Sequence, residues 1–112
     1  AIAAGAYPID IHPAAGGGLV YSGLGEGHAY EIPYRSLIPV GLDNALTAGR
    51  GVSATHEALA AIRVMTISMA VGQAAGTAAA MAVRGDAPAD VRAVPVAQLR
   101  QALLTDGACV EA

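Results

Sequence analysis

The chain has 112 residues, 54% hydrophobic and 13% charged, which is too apolar for a solvated disordered tail and enough for one small packed domain. Its net charge is −3, and its six basic residues are arginines strewn from Arg35 to Arg100 with no basic run or interleaved aromatics, which argues against a nucleic-acid surface. Cys109 is the single cysteine, so an internal disulfide and a multi-thiolate metal centre are excluded, and a cytoplasmic setting fits.

The opening residues, AIAAGAYPIDIH, lack the basic start and long apolar core of a signal peptide, and they read as the middle of a longer polypeptide. Heavy use of Ala and Arg, with no Lys, Phe or Trp, points to a bacterial, GC-rich coding sequence.

From Ala1 to Pro33, short apolar stretches are punctuated by glycine clusters. In YPIDIH the side chains alternate, with Ile9 and Ile11 on one face and Asp10 and His12 on the other, which predicts an edge strand entered through Pro8. GLVYSG and HAYEIPYRSL predict further strands, so this part reads as a small antiparallel sheet. Asn44 to Ala48 then predicts a short buried strand, entered through the turn GLDN and left through AGRG. A strand running into a glycine-rich turn is where α/β proteins hold ligands.

ATHEALAAI predicts a short helix capped by Thr55 or Ser53, with Glu57 near its positive end. VMTISMAVGQAAGTAAAMAV follows, twenty residues without a charge, long enough to span a bilayer. Most of them are Ala, Gly, Thr and Ser, Gln73 sits in the middle, and no aromatic or basic anchors bracket the segment, so it reads instead as a helix buried on nearly all sides. Gly72 and Gly76, with Ala75, Ala79 and Ala80, give it a smooth face for close backbone approach. RGDAP ends it, with Arg84 at the negative end and Gly85 as C-cap. VPVAQLRQALLTDG predicts a last helix, with Pro95 near its start, Val96, Leu99 and Leu103 facing inward, and Gly107 as its stop. His12, His28 and Cys109 are spaced as no compact ligand motif requires, so no metal site is expected.

The run from IPYRSLIPVGLDN through AGRGVSATHEALAAIRVM to GQAAGTAAA, with YPIDIH before it and LRQALLTDGA after it, resembles the C-terminal part of bacterial FAD-dependent oxidoreductases. These are related to the succinate dehydrogenase and fumarate reductase flavoproteins. The resemblance implies an α/β fold, the C-terminal fragment of a Rossmann-like FAD-binding flavoprotein. It divides the chain into a β-rich piece of the substrate domain (1–36), the returning strand and long helix of the FAD-binding domain (37–84), and a linker with a terminal helix (85–112). The implied activity is hydride transfer between a small organic substrate and flavin. The G-x-G-x-x-G turn that holds the pyrophosphate is missing, and GGGLVYSGLGEG matches neither its spacing nor its context, so the 112 residues alone are expected to be inactive and to retain little FAD.

The resemblance also implies roles for particular residues. Reduced flavin carries negative charge over N1 and O2, and a helix N-terminus aimed there supplies free N–H groups and the positive end of the dipole. Val64, Met65 and Thr66 are the candidate donors, with Thr66 also the candidate N-cap. Gly49 and Arg50 would lie by the ribityl chain or phosphates, glycine for close approach and arginine as a forked donor. Arg63 would bind a substrate carboxylate, and His56 would orient substrate or exchange a proton. The sequence departs from its relatives in reading MTISM where many have proline and cysteine at the helix start. The implied partners are FAD, a small-molecule substrate and the rest of the polypeptide, with room for a homo-oligomer but no nucleic acid or membrane. Two alternatives remain from other classes: a non-catalytic self-associating module with an exposed Ala/Gly helix, and a small membrane-anchored protein.

Overall fold

The computed structural model describes residues 1–18, 20–85 and 89–112. The expected antiparallel sheet is instead two separate two-stranded ladders. β1 (Ala3–Gly5) pairs with β4 (Tyr30–Ile32), and β2 (Ile9–Ile11) with β3 (Val20–Ser22). Pro33 stops β4, because it offers no N–H to a ladder; YRSL beyond it coils into a 3-10 turn, Tyr34–Leu37, rather than continuing the strand.

The second departure lies at Asn44 to Ala48, which forms no strand. Apart from Ala48 O, which accepts from the Gly51 N–H in the following turn, its segment finds one backbone partner among the described residues, the Thr47 N–H donating to Leu37 O at 2.7 Å, with the Thr47 hydroxyl donating to the same oxygen at 3.3 Å. A single bonded residue is not a ladder, and Leu46 is only half-buried. The chain then turns through a 3-10 segment, Gly49–Gly51, that packs against the long helix.

The helices follow their sequence signals closely. α1 (His56–Ile62) is capped by Thr55, whose hydroxyl accepts from the Ala58 N–H at 3.2 Å, and Glu57 stands in its first turn. α2 (Met65–Arg84) ends with Arg84 in its last turn and Gly85 as C-cap, the Gly85 N–H donating to Met81 O. Residues 86–88 of the expected RGDAP stop lie outside the described residues. α3 (Val96–Thr105) begins after Pro95, and Gly107 at φ +80° turns the chain so that the Ala108 N–H reaches Leu103 O. Leu99 and Leu103 are fully buried as expected, whereas Val96 at the helix start is exposed.

One core joins these parts. Ile2, Ala3 and Ile32 from the first ladder meet Ile67, Val71, Ala74, Ala78 and Ala82 of α2, with Leu99, Leu103 and Val110 behind. α2 is therefore not buried on all sides. Those five residues recur at helical spacing and form one stripe, while Met65, Met69 and Val83 on the rest of the surface are 69–78% exposed. α2 is long and apolar enough to cross a membrane, yet its stripe is packed under β1 and α3.

The glycine that permits close approach is Gly5 rather than Gly72 or Gly76. A Cβ on Gly5 would stand 2.7 Å from the Tyr30 ring and 2.8 Å from Ile67 Cδ1, whereas nothing lies within 4 Å of a Cβ on either helical glycine. Tyr34 closes the other end of the core by donating to Val91 O at 2.6 Å. Burial pushes its hydroxyl above the ordinary range, and the charge of Asp90 adds to that.

Candidate functional site

α1 and α2 are joined by Arg63 and Val64, so the C-terminal end of the short helix meets the N-terminal end of the long one. Arg63 is the C-cap of α1, and Val64 is the N-cap of α2. Valine has no side-chain acceptor, and no side-chain hydrogen bond caps the helix. Thr66 sits two residues too far along to be the expected cap and is exposed. The first α-helical bond is the Ser68 N–H to Val64 O, and the N–H groups of Met65, Thr66 and Ile67 meet no acceptor among the described residues. The tip of α2 is thus an open set of donors at the positive end of the dipole. It is not plugged from within: Met65 is 78% exposed and Val64 half-buried.

His56 and Arg63, separated by two helical turns of α1, fall on the same face of it and line one small pocket of about 80 Å³. Leu59 and Ala60 lie between them. The opposite wall is β2, which contributes Asp10 and Ile11, with His12 just beyond its end. One Arg63 Nη2–H donates to Asp10 O at 3.0 Å, tying the helix end to the strand; Glu57 is not its partner. His12 Nε2 stands 3.4 Å from Asp10 Oδ1, and the Tyr7 hydroxyl donates to Asp10 Oδ2 at 3.5 Å. Asp10 Oδ1 is shut off from solvent and makes no hydrogen bond of acceptable geometry among the described residues.

Asp10 and His12 are the members of this cluster that sequence reasoning missed. Their signal was present in the alternation of YPIDIH, which puts both on one face of the strand; what the sequence did not reveal is that α1 packs across β2.

Gly49 and Arg50 stand apart from the pocket. Gly49 adopts φ +63°, a conformation that favours glycine, with nothing within 4 Å of where a Cβ would be. Arg50 is exposed and pairs with neither Asp43 nor Glu57; Asp43 is taken by Arg92. The donors therefore suit an anionic or electron-rich cofactor: three N–H groups at a helix tip and a guanidinium, all without an acceptor among the described residues, and an unhindered glycine turn.

A second, larger cleft of about 350 Å³ is mainly apolar, lined by residues such as Tyr7, Ile9, Leu24, Tyr30, Ile32 and Ala61. It contains none of the candidate site residues and lacks the convergent charges of the smaller pocket. Among the described residues no group of three His, Cys, Asp or Glu side chains is placed to hold a metal ion.

Comparison with known proteins bears on what these donors serve. A family model described as FAD dependent oxidoreductase matches residues 1–103. No curated protein and no solved structure matches the chain.

Proposed function

Since the chain belongs to the FAD-dependent oxidoreductase family, we propose that it forms the C-terminal portion of a flavoprotein that transfers hydride between a small organic substrate and FAD. In this reading residues 37–84 complete a Rossmann-like FAD-binding domain of a cytoplasmic bacterial enzyme related to the succinate dehydrogenase and fumarate reductase flavoproteins. Residues 1–36 belong to its substrate domain, and residues 85–112 form a linker and terminal helix. The remainder of the polypeptide supplies the pyrophosphate turn, so the 112 residues alone hold FAD weakly and are inactive.

The observation that carries this reading is the uncapped tip of α2, whose donors adjoin the Arg63 and His56 pocket. Met65 and Thr66, with Ile67 in place of the expected Val64, present N–H groups to the electron-rich edge of the flavin. Gly49 lets the cofactor come near the backbone, and Arg50 donates to its phosphates. Bound FAD supplies the acceptor for the hydride. Arg63 fixes an anionic end of the substrate, with four of its five N–H donors uncommitted among the described residues, and His56 orients the substrate from the opposite end of α1.

Val64→Asp in the complete polypeptide tests this directly. A carboxylate N-cap would accept from the Thr66 or Ile67 N–H and occupy the donors, so the helix holds or gains stability while FAD affinity falls roughly tenfold. Unchanged FAD affinity in a folded variant would remove α2 from the cofactor site. The bare Ala/Gly surface of α2 supports a second reading, a self-associating module without catalysis; a colourless complete polypeptide of defined oligomeric size would favour it.

A further inference from the structure

The pocket between α1 and β2 carries both signs of charge, and that limits what fits it. Arg63 brings a permanent cation, Asp10 a carboxylate, and His12 and His56 two imidazoles, around a space of about 80 Å³. That is the room of two to three water molecules at roughly 30 Å³ each, enough for a carboxylate and one further carbon. Asp10 works in two directions. Its backbone oxygen accepts from Arg63, and its enclosed Oδ1 has His12 Nε2 as its near neighbour at 3.4 Å. A carboxylate oxygen out of contact with water is costly without a donor. An N–H at His12 Nε2 is the donor at hand, and that tautomer leaves Nδ1 of the neutral ring as an acceptor.

We propose that this pocket recognises a small carboxylate whose neighbouring carbon bears a hydrogen-bond donor, a hydroxyl or an ammonium. Arg63 holds the carboxylate, and His12, whose Nε2 stands beside Asp10, accepts from the donor through Nδ1. The proposal rests on the oxidoreductase reading above and names the substrate class of that site. Asp10 is a positioning residue, since it acts through His12 and Arg63. The arrangement discriminates through the one extra hydrogen bond that a ligand carrying the donor makes with His12.

The test is calorimetric titration of the complete flavoprotein at about pH 8 with glycolate, glycine and acetate. Glycolate or glycine should bind roughly tenfold tighter than acetate, one hydrogen bond's worth; which of the two is favoured tells hydroxyl from ammonium. His12→Asn and Asp10→Asn should each erase that preference, read as the ratio of glycolate or glycine affinity to acetate affinity rather than as either affinity alone. His12 has a 68% exposed side chain, so its replacement leaves the core intact. Equal affinity for all three ligands, absence of binding, or a preference that survives both substitutions overturns the proposal. A complete protein that carries no flavin overturns the oxidoreductase reading instead.

Discussion

The two faces of α2 are built from nearly the same small apolar residues and have opposite surroundings. On one, Ile67, Val71, Ala74, Ala78 and Ala82 are buried under β1 and α3, with Ala74 and Ala78 at 0% exposure. On the other, Met65, Met69, Ala79, Ala80 and Val83 are exposed, and a side chain added at Gly72 or Gly76 would meet nothing. Smallness at a helix surface therefore has two meanings. At Ala74 and Ala78 it is what lets another element sit close; at Gly72 and Gly76 nothing in this chain makes use of it.

Enlarging one residue on each face puts numbers on the contrast. Ala78→Leu forces extra methylenes into filled space and should cost about 1–3 kcal/mol, read as a lowered denaturation midpoint with an unchanged denaturant slope. Gly76→Ala on the open face should do the reverse, adding up to about 1 kcal/mol through helix propensity alone; a loss of stability there would mean that this face is covered in the protein under test. Both are thermal or denaturant melts of the same sample.

The smallest effect is electrostatic and lies away from both faces. Asp90 accepts from the Arg92 side chain and backbone N–H, and these bonds hold its carboxyl below the usual value of 3.8. A depressed folded-state value contributes stability that is present above the unfolded value and is lost as pH falls through the folded one. Asp90→Asn should therefore flatten the acid limb of a stability-against-pH curve below about pH 4 by slightly lowering stability at neutral pH, with little change in acid. An identical acid limb in the variant would show that the exposed cluster of Asp43, Asp90 and Arg92 is without effect.

Local chemistry made some of this molecule legible in its sequence. Thr55 announces α1, Gly107 ends α3, and the uncharged run marks α2 to within a residue, because caps and periodicity act over a few positions. His56 and Arg63 share a pocket for the same reason: their spacing is set by one helix. What the sequence hides is pairing at a distance. Asn44 to Ala48 has the apolar run of a strand, but a strand needs neighbours, and here only Thr47 has one. The close contact at Gly5 depends on Ile67, sixty-two positions away. Asp10 and His12 looked like an ordinary polar face until α1 was seen to lie across it. The all-round burial expected of α2 failed because composition counts apolar residues without saying which of them find a partner.

Arg100 reaches across almost the whole chain, donating to Ala1 O at 2.9 Å while its other end pairs with Glu111, and the Ala4 N–H donates to Cys109 O. β1 therefore gains its outer neighbour from a stretch of polypeptide that leaves the ribosome about a hundred residues later. Loop closure of that span precedes any reward from the contact, which places it among the slower events of folding. During synthesis the apolar edge around Ile2 waits, unshielded, for residues 109 to 111 to emerge, so a stalled or truncated translation product would present that edge to chaperones and to other nascent chains.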